Sequence, residues 1–589
     1  MRALVVPALV LALSSTARAF TLDELGALER EAVDEALAGR GLVADPAPEG
    51  KRIGQIHVVN QPVFSPRDWR FQLFNVLHWT TRESIIRREV LFASGQPYDQ
   101  ELLDETTRLL RADPSYSSVV VIVPVASAVP GSVDLLIVTR DIWSLRLNTD
   151  FEAQQGHLVF FTGSLAENNL FGRRKRLALV FEMDQGAMAL GPSYVDPNIA
   201  GTRLTLSSSV RALFRRDGGN LEGSSSSTVL AYPLYSLASR WAASVSVGHS
   251  NSIARAFVGN DLARVDFKDT PEEERWVWMY RVRSAAVTSN VVRRYGRNVI
   301  QQISGGHEYS VVRPSFTPDF PEDPQARADF ARLLFPRSER VSAVFLGYSL
   351  FTPRYRSYRD LNSFDLREDR RLGPSADARI SVAARALGGE GDFYRVGAGA
   401  GWVFAGKGGY QSVGVRWGAR LEGGQMVDHT YSVGTYLASP IIARAFRVVT
   451  QANATVLLDD TQRALYSVGG DSGLRGYTIG DQRGQTVAAA NLEVRSRPLS
   501  VASFRLGGLV FGDVGDAADP TTGSGTVVRA VRSLRRLSLL ADVGVGMRLL
   551  IPQLNSYVLR IDWAFPTVSS TLTPAGWPGR ISAGFRQVF

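Results

Sequence analysis

The sequence predicts a transmembrane antiparallel β-barrel preceded by one small α+β domain. Three observations carry that expectation. From about residue 144 to the end, segments of roughly ten residues alternate large apolar with small or polar side chains, the signature of a membrane-spanning barrel. Residues 51–140 have a different pattern: strand, helix, helix, strand, strand. Beyond the extreme N-terminus, no uninterrupted apolar run approaches the ~20 residues of a membrane-spanning helix. The 45% hydrophobic content of the 589 residues is therefore spread along the chain rather than concentrated.

Taken in order, Met1-Arg2-Ala3, the apolar stretch Leu4 to Leu13 and the A-x-A ending at Ala19 form a secretory signal over residues 1–19. Export follows. Cysteine is absent, which excludes disulfide scaffolds, thiolate metal sites and thiol nucleophiles. Residues 20–50 read as an amphipathic helix (Leu22, Leu25, Leu28, Ala32, Leu37) and a linker, Asp45 to Gly50. This segment is expected to be a solvated arm or to pack on the next domain, with a pore plug as the alternative. In the α+β domain, 51–141, Ile53 to Val59 is the first strand. Thr80-Thr81-Arg82-Glu83 is a capping box for one helix, and Asp99 starts a second. Ser118 to Val125 and Ser132 to Thr139 complete it.

The barrel, 142–589, contains about twenty candidate strands, fifteen before residue 459 and five after 484. Connections near 171, 233, 406, 497 and 552 are short; those at 251–274, 311–338, 459–484 and 516–531 are long. That division matches the two ends of an outer-membrane barrel. The connection 353–375 breaks the parity. Trp276, Trp278 and Tyr280 are expected in an interfacial girdle. The net charge of +9 is almost all arginine. In an exported chain it suits lipid headgroups or a polar lumen, and nucleic acid is not expected as a partner.

Gly469-Gly470-Asp471-Ser472-Gly473-Leu474-Arg475-Gly476-Tyr477 is the most informative stretch. Its Gly-Asp-Ser-Gly resembles a trypsin-like nucleophile region, but the six histidines (57, 78, 157, 249, 307, 429) are scattered without a site pattern. An arginine among glycines in a long loop better suits a guanidinium folded inward onto buried carboxylates. Glu493 and Asp513 stand on the next two strands, where a charged side chain faces the lumen rather than lipid.

With Asn169-Leu170-Phe171-Gly172, Tyr194-Val195-Asp196-Pro197, Phe511-Gly512-Asp513-Val514-Gly515 and Val543-Gly544-Val545-Gly546-Met547-Arg548-Leu549, this loop resembles the BamA/TamA-type outer-membrane assembly and translocation superfamily (bacterial surface antigen family). The resemblance implies that 51–141 is a POTRA domain and that the barrel has sixteen strands, fewer than the count. It implies that Arg475 pairs with Glu493, Asp513 or both, with Gly473 and Gly476 permitting turns and Tyr477 packing beside the pair. The chain's end, with Phe585 and Phe589, resembles a terminal insertion signal, from which Gln587 departs.

The resulting expectation is a non-enzymatic factor that inserts or translocates polypeptides, needing no nucleotide, metal or other cofactor. Its POTRA edge, at Val119, Val121 and Val123, would capture extended clients by β-augmentation. A first–last barrel seam, near Leu145 to Asp150 and Ser582 to Phe589, would admit them. Accessory proteins and outer-membrane lipid are the other expected partners, with the N-terminal domain in the periplasm. The rival is a passive channel or structural barrel.

Overall fold

A computed structural model describes residues 25–64, 75, 78–112, 116–154, 157–258, 261–266, 275–470, 472–501, 503–554 and 557–585. The expected signal peptide, Gln587 and Phe589 lie outside them. The chain divides into two compact units, each described by itself: 1–61 with 83–113 and 119–140, and 62–82 with 114–118 and 141–589. The segments 62–82 and 114–118 therefore group with the barrel, and the α+β unit is not one continuous stretch.

In the first unit, α1 (Ala27–Arg40), β1 (Arg52–Gln61), α2 (Glu83–Glu89), α3 (Gln100–Arg111), β2 (Ser117–Ala126) and β3 (Ser132–Asp141) follow in sequence. Asp99 caps α3 by accepting from the Glu101 and Leu102 amides at 2.9 and 3.4 Å. The sheet order is β1–β3–β2, with β1 parallel to β3. Both faces are covered. Ile86, Leu103 and Leu110 pack with Val120, Ile122, Leu135 and Ile137 on one side. Ala32, Val33 and Ala36 of α1 pack with Val119, Val121, Val123, Leu136 and Val138 on the other. The N-terminal helix is thus a packed element of this unit.

The expected client edge falls on β2, an outer strand of this sheet. Val119, Val121 and Val123 are buried under α1, because a strand covered on both faces sends successive side chains into two cores. Only backbone is left for a client on the outer side of β2, and its end is occupied. The Asp45 amide donates to the Pro124 carbonyl at 2.9 Å, and the Ala126 amide to the Val43 carbonyl at 2.8 Å.

The barrel strands are β4 (Leu145–Gln154), β5 (His157–Leu170), β6 (Lys175–Met183), β7 (Ala187–Asp196), β8 (Thr205–Arg215), β9 (Leu221–Tyr232), β10 (Trp241–Arg255), β11 (Met279–Tyr295), β12 (Ile300–Ser315) and β13 (Glu339–Phe351). They continue with β14 (Arg367–Ala383), β15 (Phe393–Ala405), β16 (Tyr410–Glu422), β17 (Gln425–Ala438), β18 (Phe446–Leu458), β19 (Thr486–Ser496), β20 (Phe504–Ala518), β21 (Leu540–Leu550), β22 (Leu559–Pro566) and β23 (Arg580–Phe585). Among the described residues these twenty strands close a barrel, each antiparallel to its neighbours. The sixteen strands implied by the resemblance are corrected to twenty. The count by alternation agrees.

Alternation assigns the two faces. In β16, Val413, Val415 and Trp417 point outward, and Val415 is 55% exposed; Arg416 and Arg420 point inward, and Arg420 is 1% exposed. A wall apolar outside and charged inside is that of an outer-membrane barrel. The long connections after β10, β12, β18 and β20 leave from the far end, opposite the barrel's termini, and the long one after β13 leaves from the terminal end. Trp276 and Tyr280 do not join a girdle: they pack with Phe320, Phe330 and Phe335 of the far-end loop that carries α4 (Pro324–Leu334).

Candidate functional site: the charged lumen and the barrel seam

The far-end loop 459–485, which holds the short hairpin Tyr466–Val468 with Gln482–Gly484, turns into the lumen. Its apolar residues Leu474 and Tyr477 pack against Ala517 and Leu540, which buries the apolar side of the inward turn. Gly473 supplies the bend, at φ +107°. Gly476 has another purpose: a Cβ there would lie 2.7 Å from the Asp542 Cβ and 3.1 Å from the Pro566 amide nitrogen. It allows close approach rather than a turn.

The loop delivers Arg475, which is completely buried. Its Nε and Nη2 donate to the two Asp513 oxygens at 2.7 and 2.8 Å, and its Nη1 to Glu493 Oε1 at 2.6 Å. The guanidinium also lies 3.5 Å from the Phe511 ring centroid. Planar, bidentate donation satisfies most of its hydrogens in a region closed to water, the condition under which a buried charge is tolerated. The Gly476 amide donates to Asp542 Oδ2 at 2.9 Å. The Tyr477 hydroxyl lies 2.9 and 2.7 Å from the Ala541 and Val568 carbonyls.

The structure therefore brings together Arg475, Gly476, Tyr477, Glu493 and Asp513. It adds residues that sequence reasoning missed. Asp562 stands 3.6 Å from Arg475 and takes Arg548 Nη1 at 2.6 Å. Arg495 donates to Glu493 Oε2 at 2.6 Å, and Arg580 to the Arg475 carbonyl at 2.7 Å. Their common signal is phase: each sits on the inward side of its strand's alternation, where charge gathers.

The irregular connection after β13 is a second lumen element. The short strand Arg354–Arg359 pairs with the start of β14, and the tip, 360–366, crosses the terminal-end mouth of the barrel. Tyr358 and Leu361 pack on Tyr410, Ala438 and Val449; Phe364 packs on Leu550 and Val558. Arg495 Nη1 donates to the Leu361 carbonyl at 2.9 Å, and Arg505 pairs with Asp365. One line of bonds thus joins the two inserts: Arg475, Glu493, Arg495, Leu361.

The seam is the third feature. Where β10 and β11 pair from Trp241↔Arg293 through Arg255↔Met279, β23 and β4 pair only at Ser582↔Glu152 and Ala583↔Phe151 among the described residues. Phe585 lies beyond those pairs, opposite Leu559 of β22.

No protein-family model and no curated protein matches the chain. Solved structures similar to it include BamA from Haemophilus ducreyi lacking POTRA domains 1–3, 12% identical over 91% of this chain and 84% of that one, with a TM-score of 0.34. CdiB from Acinetobacter baumannii is 11% identical over 93% and 78%, with a TM-score of 0.40. CdiB from Escherichia coli is 9% identical over 91% and 76%, with a TM-score of 0.44. What bears on function is the geometry of the lumen and seam.

Proposed function

We propose that this chain inserts or translocates other polypeptides at the outer membrane without enzymatic chemistry. The observation that carries the reading is the seam. The first and last strands are neighbours that no hairpin joins, so pairing alone holds them together. Each backbone hydrogen bond contributes only about 0.5–1.5 kcal/mol net, and the ring can open there without unthreading the chain. An open seam presents unpaired strand edges, and such edges template an incoming strand. The lumen inserts support a gated barrel over a passive channel. Arg475 fixes one insert to the wall beside the seam strands, through Arg580 of β23. The first unit, with its strand–helix–helix–strand–strand order, is proposed to be a POTRA domain in the periplasm that captures extended clients on the backbone edge of β2. Its clients, any accessory proteins and its export by residues 1–19 belong to the same proposal.

Depletion of the protein followed by outer-membrane proteomics tests it. Loss of a subset of outer-membrane or secreted proteins, restored by the wild-type chain and not by Arg475→Ala, is the expected result. Normal levels of every such protein would leave the passive channel as the better reading.

A further inference from the structure

The loop after β20 carries α5 (Thr526–Arg535), and this helix lies on the outside of the barrel. Strand register fixes the side. Ala454, Val433 and Val415 stand side by side across β18, β17 and β16, and Val433 and Val415 are 45% and 55% exposed on the lipid face. Val456, Tyr431 and Trp417 form the next such row toward the far end, on the same face. Yet Val456 is only 1% exposed, because Ala530 and Leu534 of α5 cover it together with Leu458. Tyr431 donates its hydroxyl to Thr526 Oγ1 at 2.9 Å, and Arg529 grips Asp459 with two bonds of 2.9 and 3.1 Å. The helix is held against the wall at the height of the Trp417–Tyr431 pair. Trp402 and Phe404 mark the opposite border of the same lipid face.

The outer face of α5 combines two chemistries. Val527, Val528 and Val531 are 61%, 56% and 46% exposed. Arg532, Arg535 and Arg536 are also exposed, and no ion pair holds them among the described residues. Beside the helix an open groove of 640 Å³ runs between Trp417, Met426, His429, Tyr431, Thr526 and Val527. Valines clustered on a water-facing helix are unfavourable, and three unpaired guanidiniums beside them call for anions. An apolar and cationic face lying in the plane of a bilayer interface meets both demands.

We propose that α5 docks in the headgroup layer of the far-end leaflet, with its valines among the upper acyl chains and Arg532, Arg535 and Arg536 on the phosphates of an anionic lipid. The occupant follows from the charge and from the continuity of this face with the lipid-facing wall. The proposal needs the barrel to span a membrane but does not depend on any role in transport.

The chain has no cysteine, so V528C places one bimane label on the exposed face of the full-length protein. The labelled protein is reconstituted in phosphatidylcholine vesicles with or without phosphatidylglycerol, each with acyl-brominated lipid as quencher; T522C in the preceding loop is the aqueous control. Lipid quenching at 528 well above that at 522, and rising with phosphatidylglycerol, is expected. Each arginine near an anionic surface contributes about fivefold in partitioning, so R532E/R535E/R536E should abolish the rise. Quenching of 528 by aqueous iodide as strong as at 522, with none from lipid, would overturn the docking. Lipid quenching indifferent to phosphatidylglycerol in the unmutated helix would overturn the anionic partner, whatever the triple variant does. Shielding of the label that grows with protein concentration in detergent would overturn it in favour of a second copy of this chain.

Discussion

Arg475 is held by charge-assisted bonds from opposite sides, so its removal leaves Asp513 buried without its cation and Glu493 bonded to Arg495 alone. Breaking a buried pair by deleting one partner costs about 3–5 kcal/mol. Arg475→Ala should accordingly lower the temperature at which the barrel loses its compact, heat-resistant mobility on a gel. Arg475→Lys should lie between, because a single ammonium cannot bond both Asp513 oxygens in one plane. Gly476→Ala should destabilise by about 1–3 kcal/mol through overpacking alone, since its Cβ meets the Asp542 side chain and the Pro566 backbone. A Gly476→Ala barrel as heat-resistant as wild type would show that this wall can yield. Arg475, Glu493 and Asp513 were legible because a guanidinium among glycines needs carboxylates, and acids on barrel strands face inward. Asp542 and Asp562 were equally inward, but the chain does not say how far across the lumen a loop reaches. That distance is set by closure of the whole barrel.

Two elements invite tests of their own. The 354–366 hairpin covers the terminal-end mouth and is tied to the loop through Arg495. Arg495→Met keeps bulk but removes both bonds, so it should free the hairpin and raise single-channel conductance in planar bilayers. The same change combined with Arg475→Ala should raise conductance by less than the product of the single effects, since both act on Glu493. Multiplicative effects would mean the two inserts move independently. In the first unit, the Lys51 ammonium bonded to Asp45 at 2.5 Å holds that carboxyl below its ordinary range. A depressed carboxylate contributes stability that is complete above its unfolded value, about 3.9, and is lost as pH falls through the folded one. Near-UV circular dichroism of the full chain should therefore show Lys51→Met beginning its acid transition at higher pH than wild type. Alternation in the sequence located the hairpin as a break in loop parity. Its inward course was hidden, because Leu361 and Phe364 find their partners on strands that follow much later in the chain.

At the scale of the whole molecule, strand number was readable by period and not by resemblance. Each inward–outward alternation bounded by turn residues is one wall crossing, and twenty such segments close into a ring whose ends meet at β4 and β23. That β4 and β23 become neighbours left no trace in composition, for it depends on closure of the whole ring. Their junction is also where function is most exposed to test. Phe151 and Ala583 stand directly opposite each other across the seam. Opposed Cβ atoms in an antiparallel pair lie about 4.5–5.5 Å apart, so F151C/A583C in a chain without native cysteine should form one disulfide after small backbone adjustment. If client strands enter through the seam, the oxidised protein should remain folded and heat-resistant, conduct ions as before, and lose client insertion; a reductant should restore it. A cross-link between β10 and β11, at Val247 and Val287, is the matched control, because those strands are already paired along their length. Equal activity of the oxidised and reduced seam variant would remove the seam from the mechanism, whereas equal loss from both cross-links would point to a barrel that must flex everywhere to work.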